Sequence, residues 1–385
     1  MAQWLSTLDA RLSTPAPMKS VCIFPPWDSW LGNRMFSDAE GCVYTKAFAL
    51  WREEAAKERF ALDTCDVVDS KQADILWFMD LPREKRKFLE IKRSAKKGAK
   101  IVLQILESPL LFPAAFVEAN RREFDAVVSF EYGSEQVSQF SYKLPIDPNP
   151  RFEGLPFHQR KLAVMVNTNR VEGWLATRKL GLVGLPGIGG YFSGWKLPVL
   201  HWMRPAKGEL YSWRRKMALA FEQQYPEEFD LFGDGWSGQK ISWCPFLYRD
   251  PNRCHRIESI DLSAEERSSA KRAKLGNYKF VIASENCAGS QGYISEKIFD
   301  ATLGGSVPVY LGEKKITDFV PENSFIDASE FHSLENLVFA LAKMSEEDWQ
   351  QIRSAGKAFL NSNEFLEFTN QKFALKMCYH LKALA

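Results

Sequence analysis

The sequence predicts an α/β protein built as two facing Rossmann-like domains with a cleft between them. Three observations predict it. Short apolar runs alternate with amphipathic helical stretches in both halves, the pattern of βαβ units on a largely parallel sheet. A segment with four prolines and no apolar period, Leu144–Lys161, separates the halves and reads as a linker. The chain's 385 residues are also too many for one ordinary core. The expected division is 1–150, 151–365 and a closing helix over 366–385, free to pack back on the first domain.

Taken in order, "SVCIF" predicts a strand and "YTKAFALWREEAAKERFAL" an amphipathic helix. "ADILWFMDLP" is an apolar strand, "REKRKFLEIKRSAKKG" a basic helix ended by Gly98, and "KIVLQILESP" a strand. "EFDAVVSFEYGSEQ" adds another. After the linker, "KLAVMVNTNR" predicts a strand that runs out into polar residues. "YSWRRKMALAFEQQYPEEF" is a helix as far as the Tyr225–Pro226 step, and "DLFGDGW" a short strand and turn. "YKFVIASEN", "GYISEKIFDATLGG" and "SVPVYLG" read as strand, helix, strand, followed by the short strand "SFIDAS". Two helices follow, "SLENLVFALAKM" and "SEEDWQQIRSAGKAFLNSN", each opened by a serine with acidic residues behind it. The insert Val171–Leu210 is rich in Gly, Pro and Trp. Its "GLVGLPGIGG" has the wrong spacing for a dinucleotide fingerprint, and a loop over the cleft or a packing excursion both fit it.

Composition narrows the function classes. Lys plus Arg (50) nearly balances Asp plus Glu (48), which argues against a nucleic-acid partner, whose binder is usually strongly basic. The basic helix reads as a solvated face or as peripheral contact with an anionic membrane or a lipid-linked acceptor. Twelve Trp and 28 Phe suit a well-filled core or a sugar-stacking surface. Seven cysteines without a CxxC pair fit reduced, buried thiols in a cytoplasmic protein. The first twenty residues lack the apolar core of a signal peptide, and no run approaches the roughly 18 apolar residues of a membrane helix.

One residue looks misplaced. Lys297 falls in the first turn or so of a helix, where the peptide dipoles disfavour a cation. That strand–loop–helix passage also brings Glu285 and Asn286 to the carboxyl end of a parallel strand, where α/β proteins bind ligands. A diphosphate at the helix start would make the lysine favourable, and Glu296 beside it could accept from ribose hydroxyls. A solvated Glu–Lys pair is the plain alternative.

The residues Tyr278-Lys279-Phe280, Ser284-Glu285-Asn286, Tyr293-Ile294-Ser295-Glu296-Lys297, Val307-Pro308-Val309 and Gly312 together resemble the signature of the α-1,3-fucosyltransferases, glycosyltransferase family 10. "FVPENSFIDASEF" continues the likeness, which is clear over about 277–331. Ser284 stands where the family usually has Phe, and the loop from Asn286 to Lys297 is one residue longer. "LAVMVNTNR", with Asn167, and "DLFGDGW" fit more loosely, as do "LQILESPLLFP" and "VVSFEYGSEQ". Arg214, or Arg215 in the alternative register, matches the family arginine that pairs with the donor diphosphate.

The resemblance implies a GT-B fold, with an acceptor-binding domain first and a donor domain second. It implies an inverting transfer of L-fucose from GDP-β-L-fucose to a glycan hydroxyl, of α-1,3/1,4 type on an acceptor containing N-acetylglucosamine. Glu107 is then the general base. Lys297 and Arg214 neutralise the leaving phosphate, Glu296 takes the ribose, and Tyr293, Asn286 and Asn167 serve the donor. No cofactor and no divalent metal is required. An oligosaccharide or lipid-linked glycan is the acceptor, and the expected place is the cytoplasm, at most peripheral to the inner membrane face. The alternatives are a GT-B transferase using another nucleotide sugar and a non-catalytic nucleotide- or glycan-binding relative.

Overall fold

The computed structural model describes residues 17–37, 44–132, 139–167, 208–233, 236, 254–255 and 264–385. Most of the insert Val171–Leu210 therefore lies outside the described residues. The first half holds β1 (Lys19–Phe24), β2 (Phe60–Thr64), β3 (Ile75–Met79), β4 (Lys100–Gln104), β5 (Ala126–Ser129) and β6 (Gln139–Ser141). They form a six-stranded sheet in the order β2-β1-β3-β4-β5-β6. The second half holds β7 (Lys161–Val166), β8 (Phe229–Phe232), β9 (Cys254–His255), β10 (Tyr278–Ser284), β11 (Val307–Leu311) and β12 (Ile326–Asp327). Their order is β12-β11-β10-β7-β8-β9. Every strand pairing is parallel.

Strand β3 is buried at every position, and β10 at all but one, because helices cover both faces of a parallel sheet. In the second sheet the chain moves outward through β7, β8 and β9, then returns to the other side of β7 as β10. The reversal opens a crevice beyond the carboxyl ends of β7 and β10, the usual ligand position in such sheets.

Helix α1 (Thr45–Lys57) buries Ala47, Phe48, Trp51 and Ala55 against the first sheet. The sequence expectation carried this helix on to Leu62, and the structure corrects it. The helix stops at Lys57, Arg59 takes a left-handed backbone (φ 65), and β2 begins at Phe60. Burial then alternates, with Phe60, Leu62 and Thr64 inside, so the apolar period changes from helical to extended. The basic helix α2 (Lys85–Ser94) buries Phe88 against Phe78 and Phe124. Its charges pair outward, Arg86 with Glu90 and Lys85 with Glu123. A short helix, α3 (Glu118–Arg121), precedes β5.

The second half carries α4 (Tyr211–Gln224), α5 (Ala264–Leu275), α6 (Glu296–Leu303), α7 (Leu334–Lys343) and α8 (Glu346–Phe359). Strands β6 and β9 and helix α5 had no expectation behind them. Ser333 and Ser345 cap α7 and α8 by accepting from the amides of Asn336 and Asp348, as their positions predicted. After the short α9 (Asn363–Leu366), helix α10 (Asn370–Leu384) crosses to the first half. Phe373, Met377 and Leu381 join that core, Phe373 against Phe48.

The proline-rich linker is packed rather than loose. Ile146 exchanges backbone bonds with Phe368 and Asn370. Arg160, 5% exposed, donates to the carbonyls of Glu153, Tyr278 and Gly305. No described helix is long and apolar enough to cross a membrane.

Candidate active site

Ser284, Glu285 and Asn286 emerge from the end of β10, all buried or nearly so. Glu285 is fully buried. Its Oε1 accepts from the Ser295 amide at 2.8 Å and its Oε2 from the Ser295 hydroxyl at 2.7 Å. The ammonium of Lys297 lies 3.4 Å from the same Oε2, 2.9 Å from Ser295 Oγ and 3.6 Å from Glu296 Oε1. The lysine at the start of α6 is thus compensated by a buried carboxylate, and Glu285 ties the helix start to the strand end. The sequence reading placed Glu285 at this edge without giving it a task. Its signal was an acidic residue directly after an apolar parallel strand.

Arg214, in the first turn of α4, is 2% exposed. Its Nε donates to Ser284 Oγ at 2.9 Å, and its Nη2 to the Ser284 carbonyl at 2.7 Å and to Asn286 Oδ1 at 3.2 Å. Burial lowers its pKa from the usual guanidinium value, against the raising influence of Tyr211 and Glu285. Arg215, the alternative register, instead donates to Ser212 Oγ near its own turn. The α4 approach is fixed by the backbone: the Leu210 amide donates to the Asn286 carbonyl, and the Ala288 amide to Gly208.

Glu296 stands beside Lys297. Burial works to raise its pKa, but Lys297 and then Lys271 outweigh it, and the carboxyl falls to about 2. Lys271 also pairs with Asp300 at 2.8 Å, which Arg272 meets at 2.7 Å. Asn167 follows β7. Its amide donates to the Phe232 carbonyl at 2.9 Å and its own carbonyl accepts from Trp236. It therefore sits at the carboxyl end of β7 beside the end of β8.

Tyr293 is 5% exposed and packs edge-on against Phe130 of the first half, ring centroids 5.2 Å apart. Its hydroxyl lies 3.4 Å from Asn286 Nδ2. Tyr293 thereby forms a packing bridge between the halves. Gly292 beside it takes φ 81, and a Cβ there would stand 2.2 Å from the Phe130 carbonyl. Only glycine allows that approach.

Glu107 follows β4 in the first half and is partly buried. Its charge reaches Tyr293 and Cys287 of the second half, and Ser108 approaches the Cys287 thiol. The candidate base therefore lies on the first half close to Cys287 and Tyr293, in the loop that leads from Glu285 to Lys297. Burial pushes the thiols of Cys22 and Cys378 up to about 12 and those of Cys65 and Cys287 to about 11, so these four are inert.

Two parallel-sheet α/β halves meeting at a cleft, with the charged cluster at the second sheet's crevice, define a GT-B glycosyltransferase fold. Solved structures agree on the fold. An α1,3-fucosyltransferase crystal structure superposes with a TM-score of 0.51 at 12% identity, covering 97% of this chain and 91% of that one. A sucrose-phosphate synthase from Thermosynechococcus elongatus reaches a TM-score of 0.56 at 10% identity, over 95% of this chain and 99% of that one.

Residues 252–384 match the family described as "Glycosyltransferase family 10 (fucosyltransferase) C-term". An Arabidopsis thaliana α-(1,4)-fucosyltransferase is 38% identical over 89 residues, 22% of each chain. A Helicobacter pylori α-(1,3)-fucosyltransferase is 26% identical over 140 residues, 32% of this chain and 29% of its own. A human GDP-fucose protein O-fucosyltransferase 3 is 39% identical over 75 residues, 19% of this chain and 15% of its own. The matches thus span less than a third of each relative's length.

Proposed function

We propose that this protein transfers L-fucose from GDP-β-L-fucose to an acceptor hydroxyl with inversion at the anomeric carbon. One observation carries the reading. Lys297 and Arg214 converge at the crevice beyond β10, while Glu107 faces that loop from the other half. In a single displacement, Glu107 takes the proton of the acceptor hydroxyl. The acceptor hydroxyl oxygen forms a bond to the anomeric carbon as the bond to the β-phosphate oxygen breaks on the opposite face. The charge left on the diphosphate is met by Lys297 and by Arg214, whose Nη1 is not used in its bonds to Ser284 and Asn286. Such preorganised cations are worth most in a water-poor site. Glu296, held ionised, accepts from the ribose hydroxyls. Asn286 fixes Arg214, and Asn167 and Tyr293 shape the walls of the donor site.

The reading assigns the leaving-group charge to side chains rather than to a metal ion. Transfer that stops in EDTA and returns with a divalent cation would count against it. The acceptor of choice is a glycan containing N-acetylglucosamine, free or lipid-linked. The names of the relatives divide between glycan and protein acceptors, so both belong in the test. Cytoplasmic placement, with α2 resting on an anionic membrane, completes the proposal.

The test is GDP release from GDP-fucose across an acceptor panel that includes N-acetyllactosamine and folded protein domains. A parallel thermal-shift series with GDP, UDP and ADP separates the rivals. Stabilisation by UDP alone would point to another nucleotide sugar. Stabilisation by GDP without release on any acceptor would point to a non-catalytic relative.

A further inference from the structure

A buried polar cluster lies beneath the turn that carries Glu107. Asp80, directly after β3, is 1% exposed and holds a left-handed backbone, φ 59. Non-glycine residues keep that conformation where the surroundings demand it. The Asp80 amide donates to the Gln104 carbonyl at 2.7 Å. Its Oδ1 accepts from the Leu106 amide at 2.9 Å, and the Glu107 amide adds a second favourable contact to the carboxyl. Oδ2 is buried without a hydrogen-bond partner, as is Gln104 Nε2, whose Oε1 is taken by Trp77. Tyr142 closes the cluster from the far side by donating to the Ile105 carbonyl at 2.6 Å. Buried polar atoms are normally satisfied, so an exception at one spot calls for a reason.

We propose that Asp80 is a positioning residue for Glu107: its carboxyl grips the Leu106–Glu107 turn from below and fixes where the glutamate stands at the cleft. The proposal rests on reading Glu107 as the base. The strand-end geometry supports it, since Asp80 anchors the turn through both its backbone and its side chain. Its charge state supports it as well. Burial pushes the Asp80 carboxyl up to about 8, against the lowering contact of the Leu106 amide and with the Glu107 charge adding to the rise. Glu107 and Tyr142 are the described titratable groups that face it. Two adjacent carboxylates resist joint ionisation, and the Glu107 charge is one cause of the rise at Asp80. A carboxyl whose folded pKa is raised penalises folding progressively as pH climbs from the unfolded value towards the folded one. Asp80→Asn removes that penalty, so its Tm should gain on the wild type between about pH 4 and 8.

The experiment compares the full chain with D80A, D80N and E107Q. GDP release from GDP-fucose with N-acetyllactosamine is followed from about pH 6 to 9, together with amide hydrogen exchange of residues 105–108. D80A should lose about 10–100-fold in kcat with little change in donor KM, the scale of a small misplacement of a reacting group. It should also speed exchange at Leu106 and Glu107. D80N, which keeps an acceptor for those amides, should recover much of the loss and lack the wild type's alkaline limb near pH 8. Wild-type kcat in D80A, or no recovery in D80N, overturns the proposal. A wild type that transfers nothing defeats the fucosyltransferase reading instead, and exchange then decides Asp80: unaltered protection in D80A overturns it. If D80A does not fold, an alkaline limb in D80N matching the wild type's is the overturning result.

Discussion

Arg214 in α4 donates through Nε to Ser284 Oγ at 2.9 Å and through Nη2 to the Ser284 carbonyl at 2.7 Å. The serine that departs from the resembled family's usual phenylalanine is thus the seat of the candidate phosphate-binding arginine. A serine there supplies a hydroxyl acceptor at a position with no exposed surface. Ser284→Ala removes one acceptor from a buried charged donor, a loss of about 1–3 kcal/mol. The variant should melt earlier and bind GDP about tenfold more weakly, since 1.4 kcal/mol is a factor of ten. Calorimetry with GDP checks this, and an unchanged affinity would separate Ser284 from the donor site.

Lys297→Ala should lower transfer by at least about 100-fold, the usual cost of losing one preorganised charge. It should also reduce stability, because Glu285 is fully buried and loses its cation. Breaking a buried pair from one side costs up to about 3–5 kcal/mol. Adding Glu285→Gln should restore much of the Tm without restoring activity. A double variant that regains transfer would show that Lys297 only balances Glu285.

Glu107→Gln keeps the shape of the turn and removes the base. GDP binding by calorimetry should stay within about threefold of the wild type while transfer falls by about 100- to 10,000-fold, the range of general-base catalysis. Retained transfer would remove Glu107 from the mechanism.

Glu296 gives a pH signature. Its carboxyl is lowered to about 2, with Lys297 and Lys271 outweighing burial. A depressed carboxylate contributes stability that is complete above its unfolded value and lost as pH falls through the folded one. The Tm difference between wild type and Glu296→Gln should be full at about pH 6 and shrink between about 4.5 and 2. A difference that does not vary over that window would show the ion pairs to be unimportant.

Gly292→Ala should part the two halves. A methyl there meets the Phe130 carbonyl at 2.2 Å on a backbone with φ 81, and both strain and clash oppose it. A lower Tm with weakened transfer is expected, read by calorimetry and GDP release. A Tm at the wild-type value would mean that the loop moves freely away from Phe130.

Much of this protein was legible in its sequence, where the local pattern dictates the outcome. The buried runs at β3 and β10, the serine caps of α7 and α8, and the Pro-rich passage between halves are written in residues close together in the chain. So was the oddity of Lys297, because a cation at a helix start is unfavourable wherever the fold places it. The edge strand β2 was not legible, since Phe60–Thr64 continues the apolar spacing of α1 and only the turn at Arg59 ends it. Tertiary structure alone decided what each charge meets. Glu285 meets Lys297 twelve residues away across a loop, Arg214 meets Ser284 seventy residues away, and the charge of Glu107 acts on Tyr293 of the other half. Propensity and periodicity are local, whereas the pairing of buried charges depends on which strand ends the sheet order brings together. The sequence alone could say that Lys297 needs a negative partner, from a ligand or from a neighbouring glutamate. The β7–β10 reversal and the contact at Phe130 decided which side chains stand around it.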